Sequence, residues 1–191
     1  MDAISGCAKS RRIVLLSGNS ARPSGSRRLA ARIGEAMLAH MSADLVPLDL
    51  VDAGQGLGFA LTRSDLPPEA ERVVSELENA DALVVVTPVY NGSYPGLFKH
   101  LVDFLDRGVM AGKPVLLGAS AGSRRHEMMI ENQLMPLFGH FRAQISAYSV
   151  FDVDEKSAGD HAELSLVSER INRAARHFSR ILAAPAHPLT P

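Results

Sequence analysis

Cysteine is almost missing from this chain: Cys7 is its single thiol in 191 residues. That excludes an intramolecular disulfide and a multi-cysteine metal centre, and it fits a reducing compartment. Charge of one sign is missing too, since 20 basic residues face 21 acidic ones for a net charge of −1. Nucleic acid and anionic lipid both call for a basic excess or patch, so neither is expected as a partner. Long apolar runs are lacking. The stretch 13–16 is too short for a signal peptide, and no segment approaches a membrane-spanning length. Ile4-Ser5-Gly6-Cys7 has the look of a lipoprotein cleavage site but no apolar run precedes it. The expected compartment is the cytoplasm.

What is present suits a folded globule, with 46% hydrophobic and 21% charged residues. One domain over residues 1–191 is expected, with mobile tails at 1–10 and 185–191. Short β-rich runs fall at 13–17, 45–50, 82–87, 114–119 and 144–151. The first four are nearly unbroken in apolar character, as strands covered on both faces are. Helical spacing fills the intervals. Leu29, Ile33, Ala36, Met37 and His40 share a stripe over 26–41, and Val73, Val74 and Leu77 follow Pro67-Pro68. Leu97, Leu101, Phe104 and Leu105 mark a third helix. Met128, Met129, Leu134 and Leu137 mark a fourth, with Pro136 expected to distort its end. Leu164, Val167, Ile171, Ala174, Phe178 and Ile181 mark the last. Alternating strands and helices predict a doubly wound α/β sheet with right-handed crossovers. The glycine-containing segment 54–65 reads as a flexible surface loop.

Ligands of an open parallel sheet gather at the C-terminal ends of its strands, and three loops there carry unusual chemistry. The first is Ser17-Gly18-Asn19-Ser20-Ala21-Arg22-Pro23-Ser24-Gly25-Ser26, running straight into a helix. Backbone N–H groups, hydroxyls, an arginine and a helix N-terminus together form a phosphate cradle. Gly18 and Gly25 are read as allowing close approach and positive φ. The plainer reading, a connecting loop with Ser24 or Ser26 as N-cap, needs only one hydroxyl. No Gly-x-x-x-x-Gly-Lys-Ser/Thr and no Gly-x-Gly-x-x-Gly follows the first strand, which removes P-loop and dinucleotide-fingerprint readings. The second loop, Thr87-Pro88-Val89-Tyr90-Asn91-Gly92-Ser93-Tyr94-Pro95-Gly96, offers backbone polar groups and a flat tyrosine to a planar ligand. The third, Ala119-Ser120-Ala121-Gly122-Ser123-Arg124-Arg125-His126, lets a ring approach the backbone beside positive charge. Arg124 and Arg125 suit either the phosphate or pyrophosphate of a coenzyme or, equally, solvated surface or a subunit contact.

Taken together, these loops resemble the NAD(P)H-dependent FMN reductase family of the flavodoxin-like superfold. The likeness is greatest to small reductases that supply reduced flavin to two-component monooxygenases. It is carried by the run from Ser17 to Ser24 and, most specifically, by Val86-Thr87-Pro88-Val89-Tyr90-Asn91-Gly92-Ser93-Tyr94-Pro95-Gly96-Leu97-Phe98-Lys99. Ala121-Gly122-Ser123, His126 and Pro136-Leu137-Phe138 extend it over roughly residues 12 to 183. The resemblance implies a five-stranded parallel sheet of order 2-1-3-4-5. It implies that Gly18, Ser20, Arg22, Ser24 and Ser26 hold the FMN phosphate. Pro88, Val89, Tyr90 and Asn91 would line the ribityl chain and ring edge, with Gly122 and Ser123 along the other edge. Asn19 stands where a serine is common and Gly25 where an arginine is frequent, changes expected to weaken phosphate affinity. In some sulfonate-linked relatives an inserted tyrosine creates a π-bulge in the fourth helix at a tetramer contact. The nearby residues here are Glu131-Asn132-Gln133, so that special mechanism of flavin transfer is not carried over.

Hydride transfer between nicotinamide and flavin is cofactor chemistry, so no protein acid or base is expected to be catalytic. The expected cofactors are FMN with NADH or NADPH, and a flavin-dependent monooxygenase is the expected partner. His126 reads as a helix-start or interface residue, and His100 and His140 lack metal-ligand spacing. Two alternatives remain open: an FMN-retaining quinone or azo reductase, and a flavodoxin-like electron carrier. Carriers are usually acidic and often stack aromatics on both flavin faces, whereas this chain is near neutral and has no tryptophan. A flavin-free interaction module on the same fold is a third. Met128, Met129, Ile130, Leu134, Met135 and Phe138 crowd the fourth helix with more apolar surface than one sheet face needs. That surplus is expected to be buried against another subunit, and the resemblance implies a homodimer or homotetramer.

Overall fold

A computed structural model describes residues 10–153 and 161–184. The readings of Cys7, of the leading tail through residue 9, of the tail 185–191 and of the Leu164 side chain lie outside them.

Strands β1 (Arg11–Ser17), β2 (Ala43–Asp49), β3 (Ala82–Pro88), β4 (Pro114–Ala121) and β5 (Gln144–Ile145) lie in the order β2-β1-β3-β4-β5, and β6 (Val150–Val153) also pairs with β4. Every pairing is parallel. Alternation along the central strands divides the core into two layers. Ile13, Leu15, Val84 and Leu116 meet α1 (Gly25–Leu38) and α6 (His161–Ala183) through Leu29, Ile33, Met37, Ile171 and Phe178. Val14, Leu16, Val85 and Leu117 face the other way, onto α2 (Pro68–Asn79) and α3 (Gly96–Val102). A short α4 (Arg107–Met110) and α5 (Met135–His140) complete that side. The Lys113 ammonium closes the end of α2 by donating to Glu78 O at 2.7 Å and Ala80 O at 2.5 Å.

Several expectations need correcting. β2 is not covered on both faces: only Leu48 and Asp49 are buried in this edge strand. The run 144–151 is broken in two, β5 and β6 pairing with successive stretches of β4. Between them the Ser146 hydroxyl accepts the Tyr148 N–H at 3.3 Å, diverting that donor from the ladder. The segment 54–65 is folded into 3₁₀ turns at Gln55–Phe59 and Arg63–Asp65, with Leu57 fully buried. Arg63 ties it down through Glu71, Glu78 and the carbonyl of Phe104. His40 lies beyond α1 and is exposed, so the stripe ends at Met37.

The fourth helix differs most. It opens with a 3₁₀ turn at Arg124–His126 and widens to a π-helical turn over Ile130–Leu134 before α5 begins. The Met135 N–H donates five residues back, to Ile130 O. Pro136 therefore sits at the start of α5 rather than distorting its end. Its missing N–H cannot serve the carbonyl four residues earlier and its ring presses on that group, so the preceding turn opens. A widened turn thus exists here without an inserted tyrosine. Met129, Ile130, Leu134 and Phe138 are consumed by the chain's own core, leaving Met128 60% exposed.

Among the described residues, no helix is long and apolar enough to cross a membrane, and no group of three or more His, Cys, Asp or Glu could hold a metal ion.

Candidate functional site

Sheet register brings three strand ends to one edge. Ser17 lies opposite Val86, and Pro88 opposite Ser120. Gly18 N donates to Val86 O at 2.8 Å and Val89 N to Ser120 O at 3.0 Å, so the loops after β1, β3 and β4 leave from neighbouring points. An open sheet accepts ligands at such an edge.

The first loop is held from inside. Ser24 is the N-cap of α1, its hydroxyl accepting from Arg27 N at 3.2 Å. Ser24 Oγ lies 2.8 Å from Ser26 Oγ, which lies 2.9 Å from Ser17 Oγ, which lies 2.5 Å from Asn19 Oδ1. Amide oxygen only accepts, so the Ser17 proton given to Asn19 leaves Ser26 to donate to Ser17, and Ser24 to Ser26. Ser26 is thereby an internal strut at 1% exposure, whereas Ser20 and Arg22 are exposed. Gly25 and Ser26 occupy the first two helical positions, where backbone N–H groups have no intrahelical acceptor. Neither Gly18 nor Gly25 has a positive φ, contrary to expectation. Gly18 is required for closeness: a Cβ there would stand 2.6 Å from Thr87 Oγ1 and 3.0 Å from Phe98.

Positive φ appears instead in the second loop, at Asn91 (52°) and Gly92 (84°). They form a two-residue turn of the mirror-image kind, closed by Tyr90 N to Ser93 O at 2.8 Å and Ser93 N to Tyr90 O at 3.1 Å. Tyr90 stays 52% exposed at the edge, whereas Tyr94 packs on Phe98 with ring centres 5.7 Å apart. Pro88 and Val89 are half-buried. The Ser93 hydroxyl donates to Gln133 Oε1 on the π-turn. In the third loop Gly122 is exposed, and Ser123 caps the 3₁₀ turn by accepting from Arg125 N at 3.4 Å. Arg124 and Arg125 are exposed, and Arg125 Nε donates to His126 Nε2 at 3.2 Å.

No motif in the sequence marks the acidic partner of the first loop. Asp49, at the end of β2, is a fully buried carboxylate. Arg22 donates to it through Nε and Nη2, each at 2.8 Å, and Arg27 through Nη1 at 2.6 Å. Asn19 Nδ2 at 3.3 Å and the amides of Val51 and Asp52 complete the set. Burial alone would push this carboxyl up. Hydrogen bonds from Arg22 and Asn19, with the charges of Arg22 and Arg27, outweigh it and hold the group below the ordinary value of 3.8. Arg22 is correspondingly raised, chiefly by its hydrogen bonds to Asp49 and Asp52. A lone aspartate interrupting the apolar run Leu48-Asp49-Leu50-Val51 was the available signal.

Strand order 2-1-3-4-5, with a hydroxyl-rich loop leading from the first strand into a helix, defines a flavodoxin-like oxidoreductase fold. The chain belongs to the NADPH-dependent FMN reductase family, whose pattern matches residues 11–174. It is 36% identical over 182 residues to the NADH-dependent FMN reductase SfnF of Pseudomonas fluorescens, covering 93% of this chain and 95% of the relative. It is also 36% identical over 165 residues to an FMN reductase (NADPH) of Pseudomonas aeruginosa, covering 86% and 87%. Among solved structures it is similar to an oxidoreductase from Corynebacterium diphtheriae, with a TM-score of 0.81 and 31% identity over 91% of this chain and 97% of the other.

Proposed function

We propose that the protein reduces FMN with NADH or NADPH at the shared edge of β1, β3 and β4, and passes the reduced flavin to a monooxygenase. The observation that carries this is the convergence of the three loops, anchored by the register of Ser17 with Val86 and Pro88 with Ser120. The chemistry of the donors suits the group. Amides at the first turn of α1, the exposed Ser20 and the Arg22 guanidinium match a phosphate. The exposed Tyr90 and the bare backbone at Gly122 match a flat ring and its edge. When bound, flavin would supply the redox chemistry, as acceptor of a hydride from the nicotinamide. The chain's own part is to orient the ring against the coenzyme. Pro88, Val89, Tyr90 and Asn91 serve the ring and ribityl side, and Gly122 and Ser123 the far edge.

The same reading treats residues 1–191 as one domain working in the cytoplasm as a homodimer or homotetramer. Phe59 at 85%, Leu61 at 88% and Met128 at 60% exposure are the apolar side chains such an assembly would cover. Steady-state oxidation of NADH and NADPH with FMN, FAD and riboflavin tests the activity. FMN-dependent oxidation is expected; no consumption of either coenzyme with any flavin would refute the reading.

A further inference from the structure

The loop assigned to the flavin phosphate carries cations whose charge is already answered. Arg22 Nη2 is 2.7 Å from Asp52 Oδ2 as well as bonded to Asp49, and Arg27 Nη1 lies 2.6 Å from Asp49 and 3.8 Å from Asp52. These two guanidiniums and two carboxylates sum to no formal charge among themselves. The two acids differ in kind. Asp49 is wholly buried and accepts five separate donor groups, so its charge is needed to satisfy the interior. Asp52 is 24% exposed, and besides Arg22 it accepts the Asp49 N–H at 2.9 Å. A neutral side chain could keep that backbone bond. α1 contributes no acidic residue of its own in its first turn, so the anionic charge comes from the end of β2.

We infer that Asp52 is a counter-charge that keeps the hold on the flavin phosphate weak, so that FMN is exchanged rather than retained. This rests on the reading that the β1–α1 loop takes the phosphate. A dianion arriving there would be attracted by Arg22 and Arg27 and repelled by Asp52, whose carboxylate lies 2.7 Å from the Arg22 guanidinium and 3.8 Å from that of Arg27. Asp52 is a positioning and affinity-setting residue; it need not touch the flavin.

The test is equilibrium binding of FMN and of riboflavin, which lacks the phosphate, to the unaltered protein and to Asp52→Asn. FMN should bind about tenfold more tightly to the variant, and leave more slowly, while riboflavin affinity stays the same. Asp52→Ser should act in the same direction, which guards against one variant failing to fold. In the unaltered protein, FMN affinity should depend only shallowly on salt, and the dependence should steepen in the variant. An unchanged or smaller preference for FMN over riboflavin in folded variants overturns the counter-charge and leaves the flavin reading standing. If the unaltered protein binds neither flavin, the functional reading falls and takes this inference with it.

Discussion

The Ser93 hydroxyl donates to the Oε1 of Gln133, joining the Asn91-Gly92 turn to the π-helical turn of Ile130–Leu134. Two irregular elements, one from the strand β3 exit and one from the fourth helix, are thereby fixed to each other. Both partners are part-buried, so the bond should carry a measurable coupling. Denaturant unfolding of Ser93→Ala, Gln133→Ala and the double variant should show a coupling energy of about 1 kcal/mol. The amides of Tyr90 and Ser93 should also exchange hydrogen faster in either single variant. Strict additivity and unaltered exchange would show the contact to be incidental.

Gly18 should tolerate no side chain. A methyl group there meets Thr87 Oγ1 at 2.6 Å and Phe98 at 3.0 Å, both on groups that are themselves fully buried. Gly18→Ala should cost about 2 kcal/mol and lower the thermal midpoint by about 6 °C. Calorimetry of the variant checks it; a midpoint within a degree of the parent would contradict the packing argument.

Much of the fold was legible because its signal is local. Val84, Val85 and Val86, β-branched and apolar, read as a strand buried on both faces, and Pro67-Pro68 marks the start of α2 as expected. The candidate site was legible where backbone shape dictates residue type, as at Asn91-Gly92, whose left-handed φ values few other residues accept. Interruptions were not legible. Nothing in the composition of 144–151 shows that Ser146 will capture the Tyr148 amide. Pro136 announces a disturbance without saying on which side of it the helix opens. The Asp49 cluster was missed because it is non-local: Arg22 and Asp49 are 27 positions apart and meet only once β1 and β2 pair. Serines read as phosphate donors could not be sorted into capping, internal and exposed without that geometry.

Asp49 should govern part of the acid stability. Its folded-state carboxyl lies below the unfolded value of 3.8, so its contribution is complete above that pH and is lost as pH falls through the folded value. Asp49→Asn should be destabilised by about 3 kcal/mol at pH 7. The gap to the parent should narrow as pH is taken below 3.8. Urea midpoints across that range check it; a constant gap would mean that the charge is not what matters.

Lys113→Met keeps the aliphatic length but removes the ammonium that serves Glu78 O and Ala80 O. Two carbonyls at the end of α2 then lose their donor, and a loss of about 2 kcal/mol is expected in equilibrium unfolding. Stability equal to the parent's would show that water replaces the ammonium at no cost.

The most direct test of the whole account is an amide NMR titration of the protein with FMN. Shift changes should concentrate in three stretches: the β1–α1 loop around Gly18 to Ser26, the turn from Pro88 to Asn91, and Gly122 with Ser123. Changes elsewhere, for example along α6, with these three stretches unmoved, would contradict it.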